Sequence, residues 1–112
     1  MERDCVYILD ILESARIALS YLKGVSKEFL KNIQYQDSVI RRIELIGEDA
    51  RRVSQKTQAQ HPDIPWKEMI GMRNLMIHEY DDVDLLLVWE TVHQNLPDLI
   101  NVLEPLLPQD CK

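Results

Sequence analysis

Residues 84–107 read DLLLVWETVHQNLPDLINVLEPLL and carry the strongest structural signal in the chain. Apolar residues recur there at alternating steps of four and three, which is the period of an amphipathic α-helix with one buried face. Pro97 interrupts the pattern and predicts a kink, because proline has no backbone N–H and clashes with the preceding turn. The apolar stripe consists of Leu85, Trp89, Val92, Leu96, Leu99, Leu103 and Leu106.

The same period predicts two long helices in the N-terminal half of the chain. The first, over residues 3–22, carries two apolar stripes and must bury more than one face, which favours a partner subunit beside an internal core. Gly24 ends this helix, and Ser26 suits the N-cap of a second helix over residues 27–53. The stripes are Cys5, Leu9, Leu12 and Leu19; Ile8, Ile11, Ala15, Ala18 and Leu22; and, on the second helix, Val39, Ile43, Ile46, Ala50 and Val53.

Polar residues around Asn32 favour a break or bend early in the second helix. The polar, proline-containing residues 54–65 predict the main loop. Pro65 suits the first turn of a third helix that runs from Trp66 to about His78. The sequence carries no strand signal and no repeat. It therefore predicts an all-α protein, an up-and-down bundle of four to five helices forming a single domain over residues 1–112.

Charge is distributed unevenly along the 112 residues, whose formal net charge is −6. Residues 23–60 carry eight basic and five acidic groups, whereas residues 61–112 carry three basic and ten acidic groups. The middle third is either a basic surface or a solvated face of mixed charge. The sequence shows no signal peptide or membrane span, which favours a cytoplasmic protein. Cys5 and Cys111 could form one disulfide, but free thiols are the expectation in a reducing cytoplasm, and a zinc site is not expected.

Four chemically versatile side chains gather within residues 66–80, which read WKEMIGMRNLMIHEY: Arg73, Asn74, His78 and Tyr80. Asn74 and His78 are four residues apart and share a helix face. Arg73 and His78 differ in direction by roughly 140° on an ideal helix. The long guanidinium, a helix end near His78, or a second subunit would let the two converge on one ligand.

Acid–base chemistry is the functional interpretation of these residues. A helix C-terminus and the neighbouring carboxylates favour a protonated His78, which suits general acid–base work. The forked cation of Arg73 suits a phosphoryl group that gains charge, and Asn74 could orient the imidazole or a phosphate oxygen. The structural alternative is an arginine that caps a helix, a histidine hydrogen-bonded at its end, and Tyr80 as a half-buried anchor. Trp66 and Trp89 are most simply core residues.

The motif resembles a known family. The segment Arg73-Asn-Leu-Met-Ile-His78 is similar to the signature of HEPN ribonucleases, an arginine and a polar residue followed after a short spacer by histidine. The continuation His78-Glu79-Tyr80 resembles the longer pattern of the HepT branch. Its surroundings agree over essentially the whole chain: His61-Pro-Asp-Ile-Pro-Trp66, Gly71-Met72, Val83-Asp84, Trp89 and Leu96-Pro97.

The resemblance implies a ribonuclease toxin that forms a homodimer, with its cleft at the two-fold interface. It implies an RNA substrate, cleavage by Arg73, Asn74 and His78 without metal or cofactor, and a nucleotidyltransferase antitoxin that attaches AMP to Tyr80. Two groups are candidates for protonating the leaving oxygen: the second His78 of a dimer, and water. Two alternatives also stay open: a non-catalytic HEPN-like binding module, which the acidic net charge favours, and a small helical oligomerisation protein.

Overall fold

The computed structural model describes residues 2–25, 31–71 and 85–106, and every regular element within these ranges is helical. The prediction of an all-α protein is therefore confirmed. None of the described helices is long and apolar enough to cross a bilayer. The elements are α1 (Glu2–Tyr21), α2 (Ile33–Arg52), α3 (Gln55–Gln60), α4 (66–71), α5 (Leu85–Glu90), a π-helical segment (Thr91–Asn95), α6 (Leu96–Leu103) and a 3-10 turn (Glu104–Leu106).

Helix α1 is the centre of the fold, since it packs against both α2 and α6. Its second predicted stripe, from Ile8 to Leu22, lies in the core. The first stripe is divided, because Leu12 is fully buried while Leu9 is 48% exposed. Gly24 ends the helical region at a positive φ of 76°, a conformation that glycine adopts without strain. Cys5 is disulfide-bonded, so the expectation of free thiols is wrong for this residue, and Cys111 lies outside the described residues.

Helix α2 begins later than the sequence predicted, at Ile33 rather than residue 27. Asn32 is its N-cap, and the Asn32 side-chain oxygen accepts hydrogen bonds from the backbone N–H groups of Gln34 (2.9 Å) and Tyr35 (3.3 Å). An asparagine cap satisfies donors that the first helical turn leaves free, which is why the helix starts here. The predicted Ser26 cap lies outside the described residues. The predicted stripe from Val39 to Val53 is confirmed as core.

The predicted loop over residues 54–65 is wrong in part, because it contains the short helix α3. Its N-cap is Ser54, whose hydroxyl oxygen accepts a hydrogen bond from the Thr57 backbone N–H at 3.3 Å. The helix sequence QKTQAQ buries one residue, Thr57, so it has no apolar stripe that a periodicity argument could detect.

The last helical stretch holds the predicted apolar stripe, interrupted by a π-helical segment just before Pro97. The Leu96 N–H bonds to the Thr91 carbonyl, five residues back, so the turn that leads into the proline is wider than an α-turn. This π-helical segment lies directly before Pro97, while the kink predicted at the proline itself stays a prediction. Val92, Leu96, Leu99 and Leu103 are buried as expected, as are two residues outside the stripe, Val88 and Thr91.

Candidate functional site

All four predicted site residues, Arg73, Asn74, His78 and Tyr80, lie outside the described residues. The structure describes the two helices that frame their segment in the chain: α4, which ends its described part at Gly71, and α5, which begins at Leu85.

The backbone that enters the motif segment is held by the core. The Trp66 indole N–H donates a 3.0 Å hydrogen bond to the His61 carbonyl, which ties the first turn of α4 to the preceding loop. A further backbone bond of 3.1 Å runs from the Met69 N–H to the Pro65 carbonyl. Ile64, Trp66 and Met69 are all buried in the core cluster. The predicted role of Trp66 as a core residue is confirmed, and the described part of α4 is attached to the core.

Helix α5 anchors the segment that follows the motif. Val88 is fully buried, and the Thr91 hydroxyl donates a 2.7 Å hydrogen bond to the Leu87 carbonyl one turn earlier. Trp89 is half-buried, and its ring lies 4.0 Å from that of His93, centroid to centroid. The chain on both sides of residues 72–84 is thus bound to one common core.

A cavity of about 380 Å³ opens beside the first turn of α4. Its floor is apolar, and the charged residues among its lining are Asp63, Glu68 and Asp98. Three carboxylates and no lining cation repel phosphate, so this cavity is unsuited to an RNA backbone. The apolar floor comes from α2, α4 and α6 and includes Ile43, Ile46, Met69, Leu96, Leu99 and Val102.

Helix α2 carries four arginines and four carboxylates. Arg41 bonds to Glu44 at 3.5 Å and Arg52 to Glu48 at 3.2 Å. Arg51 is exposed and Arg42 is half-buried. Part of this basic charge is neutralised within the helix, which agrees with the mixed-charge interpretation of the middle third. Among the described residues, no group of three or more His, Cys, Asp or Glu side chains could hold a metal ion.

Two buried aspartates were missed by the sequence analysis. Asp4 on α1 accepts hydrogen bonds from the Ser54 N–H (2.9 Å), the Ser54 hydroxyl (2.6 Å) and the Thr57 hydroxyl (2.5 Å). Burial opposes the charge of this carboxylate, but these hydrogen bonds together lower the pKa of Asp4 below its ordinary value. No local signal could have revealed this site, because its donors lie 50 and 53 residues away.

The second is Asp49 on α2, which is 9% exposed. Its carboxylate forms no hydrogen bond or ion pair with the described part of the chain. Burial, followed by the negative charges of Asp10 and Glu48, raises the pKa of Asp49 to about 6, although Arg52 acts in the opposite direction. Its neighbours Gly47 and Glu48 make the local sequence look like a solvated helix face, which is why the burial was not anticipated.

The helical fold agrees with the resemblance of the Arg73–His78 segment to the helical HEPN ribonucleases. Comparison with known proteins gives the family: the profile described as "Ribonuclease HepT-like" matches residues 11–106. The chain belongs to this HepT-like family.

Curated relatives agree over nearly their full length. The chain is 37% identical over 94 residues to "Putative RNase MJ1380" of Methanocaldococcus jannaschii, which covers 83% of this chain and 86% of that protein. It is 35% identical over 101 residues to "Probable ribonuclease HepT" of Thermococcus cleftensis, covering 89% and 92%. It is 30% identical over 105 residues to "Putative RNase TTE0752" of Caldanaerobacter subterraneus, covering 93% and 94%. No solved structure matches the chain.

Proposed function

We propose that this protein is a metal-independent endoribonuclease, the toxin of a toxin–antitoxin pair, and that it acts as a homodimer. One observation carries the proposal: the segment Arg73-Asn-Leu-Met-Ile-His78, followed by Tyr80, falls inside the region that matches the HepT-like ribonuclease family. Relatives named as ribonucleases, matched over most of their length, support RNA as the substrate class.

The proposed reaction is intramolecular attack by a ribose 2′-hydroxyl. His78 takes the hydroxyl proton, the 2′-oxygen bonds to the adjacent phosphorus, and the bond from phosphorus to the 5′-oxygen breaks. The products are a cyclic phosphate and a free 5′-hydroxyl. Arg73 stabilises the negative charge of the transition state, and Asn74 orients the imidazole or a phosphate oxygen. The leaving oxygen receives its proton from the second His78 of the dimer or from water.

The framing elements support a site that needs fixed geometry. Productive positioning tolerates errors of well under 1 Å, so a catalytic segment benefits from rigid attachment. The Trp66 bond to His61 and the buried Met69 supply this attachment before the motif, and the buried Val88 supplies it after. The acidic cavity lined by Glu68 disfavours RNA on its side of α4.

Variants of the motif test the chemistry. His78→Ala is expected to lower the RNA cleavage rate about 10²–10⁴-fold through loss of the general base. Arg73→Ala is expected to lower it about 10²–10³-fold through loss of transition-state stabilisation. Both should keep their helical circular dichroism and lose growth toxicity. The matched controls are His93→Ala and Arg51→Ala, which remove an exposed histidine and an exposed arginine elsewhere.

Cleavage is also expected to persist in excess chelator. Full activity of His78→Ala, or strict dependence on an added divalent metal, would contradict the mechanism. The alternative function, a non-catalytic binding module, is favoured by the net charge of −6 and by the acidic cavity. It predicts RNA or protein binding with no cleavage by the wild type, so the same assay separates the two functions.

Control of the toxin is proposed to act through Tyr80. Transfer of AMP to its hydroxyl by a nucleotidyltransferase antitoxin would add a negative phosphate and a bulky base two residues from His78. Both oppose RNA binding, and the phosphate could pair with Arg73 and withdraw it from catalysis. Co-expression with that partner is expected to add the mass of AMP to the peptide that contains Tyr80, and Tyr80→Phe should cleave RNA yet escape neutralisation. A Tyr80→Phe variant that is active and still neutralised by AMP transfer would place the modification elsewhere.

A further inference from the structure

Asp49 is a buried carboxylate without a counter-ion in direct contact. It is 9% exposed, and it forms no hydrogen bond or ion pair with the part of the chain that the structure describes. Buried charges are ordinarily paired, because an uncompensated one is costly. The acidic neighbours Asp10 and Glu48 favour an incoming cation beside Asp49, while the positive charge of Arg52, which bonds to Glu48, acts in part against them. A positive group could therefore bind beside the Asp49 carboxylate, to which no described residue bonds directly.

Arg42 is the matching group on the same helix. It is half-buried, and it too forms no ion pair within the described residues, whereas Arg41 and Arg52 bond to Glu44 and Glu48. Arg42 and Asp49 are seven residues apart, which is nearly two full turns, so both lie on one edge of α2. Their separation along the helix axis is about 10 Å, too far for them to pair with each other.

This spacing makes α2 complementary to an antiparallel copy of itself. A two-fold axis crossing the helix midway between residues 45 and 46 sets residue 42 of one copy opposite residue 49 of the other. The same operation forms the second pair, as an isologous interface requires. We propose that this edge of α2 docks against the α2 of a second copy of the chain, with the Arg42 guanidinium of each copy paired to the Asp49 carboxylate of its partner. The inference rests on the homodimer of the proposed function and assigns its surface.

The apolar residues of this edge fit such an interface. Leu45 lies next to the axis and is half-buried. The adjoining face of α1, the face that carries Asp10, also holds Val6 and Ile17, since these three residues recur at steps of four and seven. Val6 is 57% exposed and Ile17 is half-buried, so both have apolar surface left to cover. An apolar centre flanked by reciprocal charge pairs gives both affinity and a single register.

Reversing the charges one at a time tests the pairing. Arg42→Asp sets two carboxylates against each other at both symmetric positions, and Asp49→Arg does the same with two arginines. Each variant alone is expected to raise the dimer dissociation constant at least about 100-fold, measured for the full-length chain by analytical ultracentrifugation. The matched control is Arg51→Asp, which makes the same charge change at an exposed position on another side of α2 and should leave the constant within about threefold of wild type.

Mixing the two single variants provides the decisive measurement. An Arg42→Asp chain beside an Asp49→Arg chain restores opposite charges at both positions, so the mixture is expected to form heterodimers while each variant alone stays monomeric. If Asp49→Arg does not fold, as judged by circular dichroism, the comparison of Arg42→Asp with Arg51→Asp still decides whether this edge is the interface.

The possible failures are distinguishable. A wild-type chain that stays monomeric at tens of micromolar overturns both this surface and the homodimer of the proposed function. A wild-type dimer that Arg42→Asp leaves intact overturns this surface alone and leaves the homodimer standing. Monomeric single variants that form no heterodimer when mixed overturn the pairing of Arg42 with Asp49.

Discussion

Asp4 and Asp49 are buried to nearly the same extent, at 6% and 9% exposed, yet their surroundings are opposite. Three hydrogen bonds from Ser54 and Thr57 converge on Asp4 and lower its pKa. Asp49 receives none from the described residues, and burial and the charge of Asp10 raise its pKa to about 6. Burial alone therefore does not determine what a carboxylate contributes. The donors around it decide whether it stabilises the fold or is available to bind another group.

Removing the carboxylate of Asp4 is expected to have the largest effect on stability. Asp4→Ala removes the acceptor of the Ser54 N–H and of the Ser54 and Thr57 hydroxyls, in a partly buried junction between α1 and α3. The free energy of unfolding in urea should fall by about 3 kcal/mol. Glu13→Ala, an exposed substitution on the same helix, is the control and should change it by less than about 0.5 kcal/mol. Equal losses in the two variants would mean that the junction does not stabilise the fold.

Asp49 is expected to show the opposite dependence on pH, with a smaller effect. The pKa of Asp49 is raised in the folded state, so its contribution to stability is complete below pH 3.8 and is lost as the pH rises through about 6. Asp49→Asn removes this loss. At a concentration where the protein is monomeric, the free energy of unfolding of the variant at pH 7 should exceed that of wild type by about 1–2 kcal/mol. The difference should shrink toward pH 4. The measurement is urea unfolding at both values.

The direction in which stability changes with pH distinguishes the two aspartates. The pKa of Asp4 is lowered, so its contribution is present above pH 3.8 and is lost only as the pH falls below that value. As a control, Asp10→Asn removes a repelling neighbour and should lower the pKa of Asp49 in an NMR titration of its carboxyl carbon. An Asp49→Asn variant less stable than wild type at pH 7 would show that its carboxylate is already compensated within one chain.

Sequence patterns predicted the parts of the fold that repeat with the helical period. The stripe from Ile8 to Leu22 and the stripe from Val39 to Val53 are both core, because a buried face must recur every three or four residues. Helix α3 escaped detection because Thr57 is its single buried residue. The start of α2 was readable in principle, since an asparagine at position 32 is a strong capping residue, but the polar residues after it suggested only a break.

Long-range polar contacts were beyond any local pattern. Near the start of α1, Asp4 looks like a solvated residue beside the helix dipole, and its donors belong to a different helix. The burial of Asp49 depends on how α1 packs against α2, and this packing cannot be predicted from the sequence of α2 alone. Of the two tryptophans predicted as core residues, Trp66 is buried, whereas Trp89 is half-buried against the core. The roles of Arg73, Asn74, His78 and Tyr80 stay predictions that rest on the family resemblance.

The junction around Asp4 also bears on how the chain folds during its synthesis. Asp4 leaves the ribosome before Thr57, one of its hydrogen-bond donors, which follows 53 residues later. At translation rates of about 5–20 residues per second, that delay is roughly 3–10 s. Throughout this interval the Asp4 carboxylate lacks these donors, so burial of the start of α1 is unfavourable. Only the emergence of α3 lets that end dock, which couples the final placement of the first helix to a short segment near the middle of the chain.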